Sequence, residues 1–382
     1  MNERHQYLPV NWVDGMKINK DHFIAQQHAT QYAIQTTLAS ELSVVRYGVT
    51  TGSAYNVTIA ADNQNAVTVK VMACNAVTQG GVVINIPSLY NQANGGVVQA
   101  TLPIAATTGK TTLYIVLVVN PFNRNPVGDP DVNEAPPRYP FTEAAYTIEC
   151  VEENSYRQYV NNPYVLTIGR IMADAGLLQV DEEYIPPCLN IAAHPDLVQL
   201  HAELEQFLAT LESRCSVIVQ KIFKKSQQND LSELALFLCD RIIIFLSQSL
   251  TQMRRTVVYE APVVLFMQIS SLARLMKNTI DLRIGSGKDE LMNYLSEWCE
   301  LNQGELESLL SGIANLPYQH NNINEGIGPV IRFAKVISRL FETLSGLEFI
   351  GKRKESGIFV KEEFTPTQQD AQQAKTKRRF FG

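Results

Sequence analysis

The 382-residue chain is short of several things that would place it quickly. It lacks an apolar stretch near the roughly 20 residues that span a bilayer; its longest runs are of the size of Leu113–Val119 and Ala261–Met267. Met1–Val10 has no apolar core of the kind a secretory signal carries. There is no basic excess, since 32 Lys and Arg face 38 Asp and Glu for a net charge of −6. A general nucleic-acid binder needs clustered cations to neutralise phosphates, so that class is set aside. The six cysteines, Cys74, Cys150, Cys188, Cys215, Cys239 and Cys299, form no Cys-x-x-Cys pair. That pattern suits reduced thiols in a cytoplasmic protein better than a disulfide framework or a zinc site.

Catalytic signatures are equally scarce. No His-Glu-x-x-His and no Gly-x-Ser-x-Gly occurs among the residues. Ile284-Gly-Ser-Gly-Lys-Asp289 has the look of a phosphate loop. Leu282 stands where its first glycine belongs, and Asp289 replaces the magnesium-binding hydroxyl. It also follows a helical pattern and not a strand, so it reads as a turn between helices. His22 and His28 are poorly spaced for one face, and no Cys or carboxylate cluster joins His194 and His201. Asp181-Glu-Glu183 reads as a solvated turn, because catalytic pairs oppose each other across a cleft. The expectation is a non-enzyme without cofactor or metal.

What is present divides into three blocks. Residues 1–190 carry a net charge of −6, residues 191–345 one of −3, and residues 346–382 one of +3. In the first block Val67–Val71 alternates at period two, and Val82–Ile86 ends at Pro87. Leu113–Val119 suits a strand covered on both faces, and Tyr164–Ile168 is closed by Gly169. Many short strands without intervening helical periods predict a sandwich or a barrel. Asn120–Pro140 holds six prolines and is expected to be a long stiff loop, either a plain surface loop or a docking one. Ahead of the strands, Asp21 is a plausible cap for a helix to about Leu42.

After Pro195 the period becomes helical. Leu197, Leu200, Leu204, Phe207 and Leu211 form two heptads of an a/d seam, which serves either a bundle contact or an oligomer axis. Further helices are expected over Leu231–Arg255, Val263–Arg283, about Asp289–Leu301, Glu305–Ala314 and about Pro329–Ser345. The last block is too short for a core of its own. It is either a disordered end or a linear motif that folds on a partner, with Arg378, Arg379, Phe380 and Phe381 as its anchors. The fold class expected is α+β and multidomain: a β-sandwich over 1–190, a helical bundle over 191–345 and a short basic tail over 346–382.

Three stretches together resemble the TssK family, the baseplate adaptor of bacterial type VI secretion. The first is Val10–Phe23, with Trp12, Asp14, Gly15, Met16, His22 and Phe23 in the family's places and Lys20 where a proline is usual. The second is Ile168-Gly-Arg170 followed by Tyr184-Ile-Pro-Pro-Cys-Leu189, and the third is Leu316-Pro-Tyr-Gln-His320. The resemblance implies a β shell domain, a helical neck with Leu197–Leu211 on a trimer axis, and Tyr184, Ile185, Pro186 and Pro187 at their junction. It implies a homotrimer whose shell docks on a TssF–TssG wedge, with Trp12, Gly15, Met16, His22 and Phe23 as candidates for that contact. These large side chains either anchor the partner or staple the segment to the sandwich. The family's head domain needs more residues than the block after 345 holds. The usual TssJ–TssL–TssM contact is therefore expected to be replaced, either by a different envelope partner or by the tail alone. Placement is expected in the cytoplasm at the inner face of the envelope, without insertion into the membrane. The competing class is a phage-type receptor-binding or ligand-binding module.

Overall fold

The structure, a computed structural model, describes residues 7–52, 54–62, 65–87, 97–104, 109–160, 162–174, 176–299, 301–351, 353–355 and 358–360. They fall into two compact units: Met1–His194 with His320–Asn322, and Pro195–Gln319 with the residues from Ile323 onward.

The first unit opens with α1, Lys20–Glu41, and then builds two sheets. One sheet holds β1 (Gly48–Val49), β2 (Asn56–Ala61), β3 (Ala66–Val77), β4 (Val83–Ile86) and β5 (Val98–Pro103). The 12-residue β3 is its spine. Its first half pairs with β2 and β5, and its second half with β1 and β4, all antiparallel. The other sheet runs in the order β7-β6-β8-β9, from β6 (Thr111–Val127), β7 (Phe141–Glu152), β8 (Val165–Asp174) and β9 (Leu177–Val180). Val67, Val69 and Val71 of β3 share one buried cluster with Leu113, Ile115, Leu117 and Val119 of β6, so the sheets face each other as a sandwich. Each such side chain contributes about 1.5–3 kcal/mol on leaving water.

Leu113–Val119 is covered on both faces. Its odd positions face the sandwich core, while Tyr114 and Val116 pack with Val151, Tyr156 and Val165. Tyr156 lies on α2, Glu153–Tyr159, and its ring stacks on Tyr114 at 3.8 Å. This second cover is why the run shows no alternation.

Two sequence expectations fail in the sandwich. Asn120–Pro140 is not a loop throughout. β6 continues to Val127, with Pro126 opposite Thr142, and only the part beyond it turns back. A bulge between Asn120 and Arg124 absorbs Pro121. β8 pairs with β6 only as far as Val118, so among the described residues one edge beyond it has no partner strand and tolerates a residue with no N–H. Nor does Gly169 end its strand. β8 runs through it to Asp174, and a Cβ at Gly169 would stand 2.1 Å from Ile59 Cδ1. The glycine marks close packing, not a stop.

The second unit is a helical bundle of α3 (Pro195–Lys224), α4 (Asp230–Arg255), α5 (Pro262–Asp281), α6 (Lys288–Cys299), α7 (Gln303–Ala314) and α8 (Ile323–Gly346). Asn229 and Asn302 close capping boxes with Ser232 and Glu305. α3 packs between α4 and α8, and α5 against α7. Leu197, Leu200, Leu204, Phe207 and Leu211 are all at or below 5% exposed within this one chain. Within the chain the seam is covered by α4 and α8, which is the bundle contact of the two uses open to it. α4 has the length and apolarity to cross a membrane by composition alone, yet its apolar face packs on α3, α5 and α6.

α8 begins two turns before the expected Pro329, which lies inside it. Ile323 and Ile327 are buried anchors that extend the helix backward, at the loss of one intrahelical bond. Past α8, β10 (Arg353–Glu355) and β11 (Ile358–Val360) pair antiparallel. Arg378, Arg379, Phe380 and Phe381 lie outside the described residues.

Candidate functional site

Two assemblies of side chains in the first unit bring together residues that the sequence singles out. The first is built on α1. Asn19 caps the helix, accepting from the backbone N–H of Asp21 and of His22. His22 completes the box, its Nδ1 accepting from Asn19 N–H at 3.2 Å. His22 is thus a capping residue, and this local role sets the start of the helix. Asp14-Gly15 makes the turn before it, with Gly15 at φ +78° in open space. Met16 N–H closes that turn on Val13 O, and Met16 itself is half-buried.

α1 is a 22-residue helix with only Ala29 and Gln35 buried. It is held along its length by few but specific contacts. Tyr7 stacks on Phe122 at 4.0 Å, and the His28 ring meets both edge-on at 5.3 Å. Phe122 comes from the β6 bulge, which thus gives α1 a platform. Val10 N–H donates to Gln26 Oε1, tying the entering chain to the helix. Farther along, Gly81 lets the β3–β4 turn approach the helix backbone, where a Cβ would stand 2.3 Å from Gln35 O.

This scaffold leaves a row of large apolar side chains in water. Trp12 is 46% and Phe23 61% exposed, with the Trp12 ring 6.2 Å from both Phe23 and His22. Leu8, Val13 and Ile18 of the same segment are exposed as well. The structure so separates the residues proposed for one contact: Trp12 and Phe23 face out, Met16 half in, and Gly15 and His22 shape the backbone. Sequence reasoning missed Leu8, Val13 and Ile18, whose flanking position on an irregular segment has no periodicity to reveal them. It also missed the Tyr7–His28–Phe122 staple, which depends on a residue about a hundred positions away.

The second assembly is polar. Tyr184 is buried and Ile185 fully so, and Pro186 and Pro187 are buried too. They run beside β1: Val49 N–H donates to Pro187 O, and Leu189 N–H to Val49 O. Gly48, at φ +109°, permits this approach, because a Cβ there would fall 2.0 Å from Pro187 O. Onto this layer come His320, Asn321 and Asn322. Tyr47 Oη donates to Asn321 Oδ1 at 2.8 Å, and Tyr184 Oη to Asn321 O at 2.8 Å. Arg170 Nη1 donates to Asn322 Oδ1 at 2.6 Å while its Nη2 holds Asp181. Asp181 is thereby an anchored partner and not a solvated turn residue, as the sequence suggested. His320 Nε2 donates to Tyr47 O at 2.9 Å, which puts the proton on that nitrogen. Burial lowers the His320 pKa to about 4 and raises that of Tyr47 to about 12. The motifs around Arg170, Tyr184 and His320, far apart in the chain, thus converge on one hydrogen-bonded cluster.

Among the described residues, no three His, Cys, Asp or Glu side chains converge as metal ligands would. The exposed side chains of the first assembly offer apolar contact.

A family model described as bacterial type VI secretion (EvfL, ImpJ, VasE) matches residues 22–277, more than half of the chain. No curated protein matches. Among solved structures, a crystal structure of TssK is similar at 14% identity, with a TM-score of 0.47 over 88% of this chain and 69% of that one. TssK of the EAEC type VI system, bound to a nanobody, is similar at 15% identity and a TM-score of 0.43, over 84% of this chain and 99% of that one. A TssK–TssF–TssG baseplate subcomplex contains a chain similar at 14% identity and a TM-score of 0.43, over 88% and 99%.

Proposed function

Because the chain belongs to this family of bacterial type VI secretion proteins, we propose that it is a non-enzymatic adaptor of a type VI baseplate, and that its N-terminal segment with α1 is the docking face. The observation that carries this reading is the exposed row of Leu8, Trp12, Val13, Ile18 and Phe23 on a scaffold stapled and capped to hold it. Large aromatic side chains that are pre-positioned dominate interface energies. A solved TssK stands in a complex with TssF and TssG, and homologues of those two proteins are the partners proposed here. Arranged so, the protein sits in the cytoplasm on the inner side of the envelope and links the baseplate to an envelope protein.

Replacing Trp12 and Phe23 together by Ala is expected to weaken co-purification with the TssF–TssG homologues at least tenfold, about 1.4 kcal/mol or more. The thermal midpoint should stay unchanged, since both side chains are already exposed. Undiminished co-purification, or a midpoint that falls with it, overturns the docking role of these two residues.

The same reading makes the protein a homotrimer. The heptad of α3 is taken up within the bundle, so self-association uses outward residues of α3 such as Val198 and Val217, both exposed. Light scattering on the purified protein is expected to give three times the chain mass at micromolar concentration, and a monomer mass overturns it. Arg378, Arg379, Phe380 and Phe381 are proposed as an envelope-side motif on composition alone, made useful by threefold multivalency.

A further inference from the structure

Phe237, Arg241 and Ile244 follow one another on α4 at spacings of four and three, along one face of the helix. The turn between α5 and α6 is locked beside that helix. Gly287, at φ +106°, lies so close that an added Cβ would stand 2.8 Å from Leu234 Cδ1. The turn thereby holds Arg283 over the Phe237 ring, with Cζ 4.3 Å from the ring centroid. Arg241 Cζ is 5.2 Å from the same centroid. Two guanidiniums share one ring. The ring's negative face attracts each of them, while they repel one another.

Neither cation reaches a carboxylate among the described residues. Arg283 Nε is shut off from water and has no acceptor. On either side of Arg283, Leu282 and Ile284 are 74% and 69% exposed. Ile244 is exposed as well. The patch therefore combines paired, pre-positioned guanidiniums with an apolar collar.

We propose that this patch docks a short acidic, apolar peptide segment of a partner protein. A carboxylate of the segment accepts from Arg241 and Arg283, and its apolar side chains lie on Leu282 and Ile284. Planar guanidiniums suit carboxylates because two N–H donors match two oxygens. A sheet of anionic lipid fits less well, since exposed Asp240, Asp289 and Glu290 stand close in sequence to the cations and repel a broad negative surface. A free phosphate gains nothing from the two apolar side chains.

The test uses the full chain and a fluorescein-labelled synthetic peptide with the core Glu-Leu-Asp-Leu-Phe, read by anisotropy at low salt. Its control carries Gln-Leu-Asn-Leu-Phe, and a second arm measures sedimentation with phosphatidylglycerol vesicles. The acidic peptide is expected to bind saturably, and the amide control about tenfold or more weakly, as the loss of a charge-assisted bond implies. Arg241→Gln with Arg283→Gln should give the same loss. Leu282→Ser with Ile284→Ser changes only exposed side chains, so it should weaken binding at an unchanged thermal midpoint and decides the matter if the arginine variant folds poorly. Equal binding of the two peptides, undiminished binding by the Leu282/Ile284 variant, or no saturation up to about 1 mM overturns the proposal. So does sedimentation with vesicles in the absence of peptide binding.

Discussion

His320 shows how one side chain ties distant chain segments together and what that costs. Its ring lies 4.7 Å from the Tyr47 ring and gives its Nε2 proton to Tyr47 O. Burial holds its pKa to about 4, against 6.5 for a solvated imidazole. The unfolded chain thus takes up the proton first as pH falls. The stability that the neutral ring contributes is complete above about pH 6.5 and is lost progressively between there and pH 4, on the order of 3 kcal/mol. His320→Gln keeps a donor for Tyr47 O but cannot titrate. Urea unfolding at pH 7 and pH 4.5 is expected to show the natural chain losing more stability than the variant. A gap between them that does not change with pH would refute the assignment. Arg170 likewise ties distant segments together, its half-buried guanidinium holding Asp181 on one side and Asn322 on the other.

At the scale of elements, α3 decides between two readings of a heptad. Leu204 is fully buried inside a single chain, so truncating it leaves a cavity in the bundle. Leu204→Ala is expected to cost about 2–5 kcal/mol and to lower the thermal midpoint equally at low and high protein concentration. Were the seam an oligomer axis, the loss would shrink as concentration rises. A fall in mass with little loss of midpoint would make the seam an oligomer axis. α1 is the opposite case. It buries almost nothing of its own and exists because a capping box, a ring stack and a glycine turn hold it. Its sequence has no apolar stripe, so nothing in its spacing gives the direction of its contacts.

At the scale of the molecule, the first unit is not a continuous piece of chain. It includes His320–Asn322. A chain ending at His194 would leave the Tyr47 and Tyr184 hydroxyls and Arg170 without the acceptors that Asn321 and Asn322 supply. Each such loss costs about 1–3 kcal/mol. Residues 1–194 expressed alone are expected to melt at a clearly lower temperature than the corresponding transition in the full chain. Equal midpoints would show that the polar cluster contributes nothing.

The sequence by itself determined the class of fold. Period-two alternation in Val67–Val71, the change to a 3.6-residue period after Pro195, and caps at Asn229 and Asn302 are local, and the backbone must obey them wherever the chain goes. It also determined the family resemblance, since Trp12, Arg170, Tyr184 and His320 stand in recognisable company. Tertiary structure alone decided how those residues are used. Whether a leucine seam faces a partner or its own bundle depends on which helix comes to cover it, and α8 lies more than a hundred residues further on. Whether a glycine ends a strand or admits a neighbour depends on Ile59 arriving at 2.1 Å from where a Cβ of Gly169 would stand. The meeting of Tyr47, Arg170 and Tyr184 with His320–Asn322 has no local signal at all. Hydrogen bonds between residues so far apart form only after both chain segments have been placed by packing, and one-dimensional periodicity carries no trace of them.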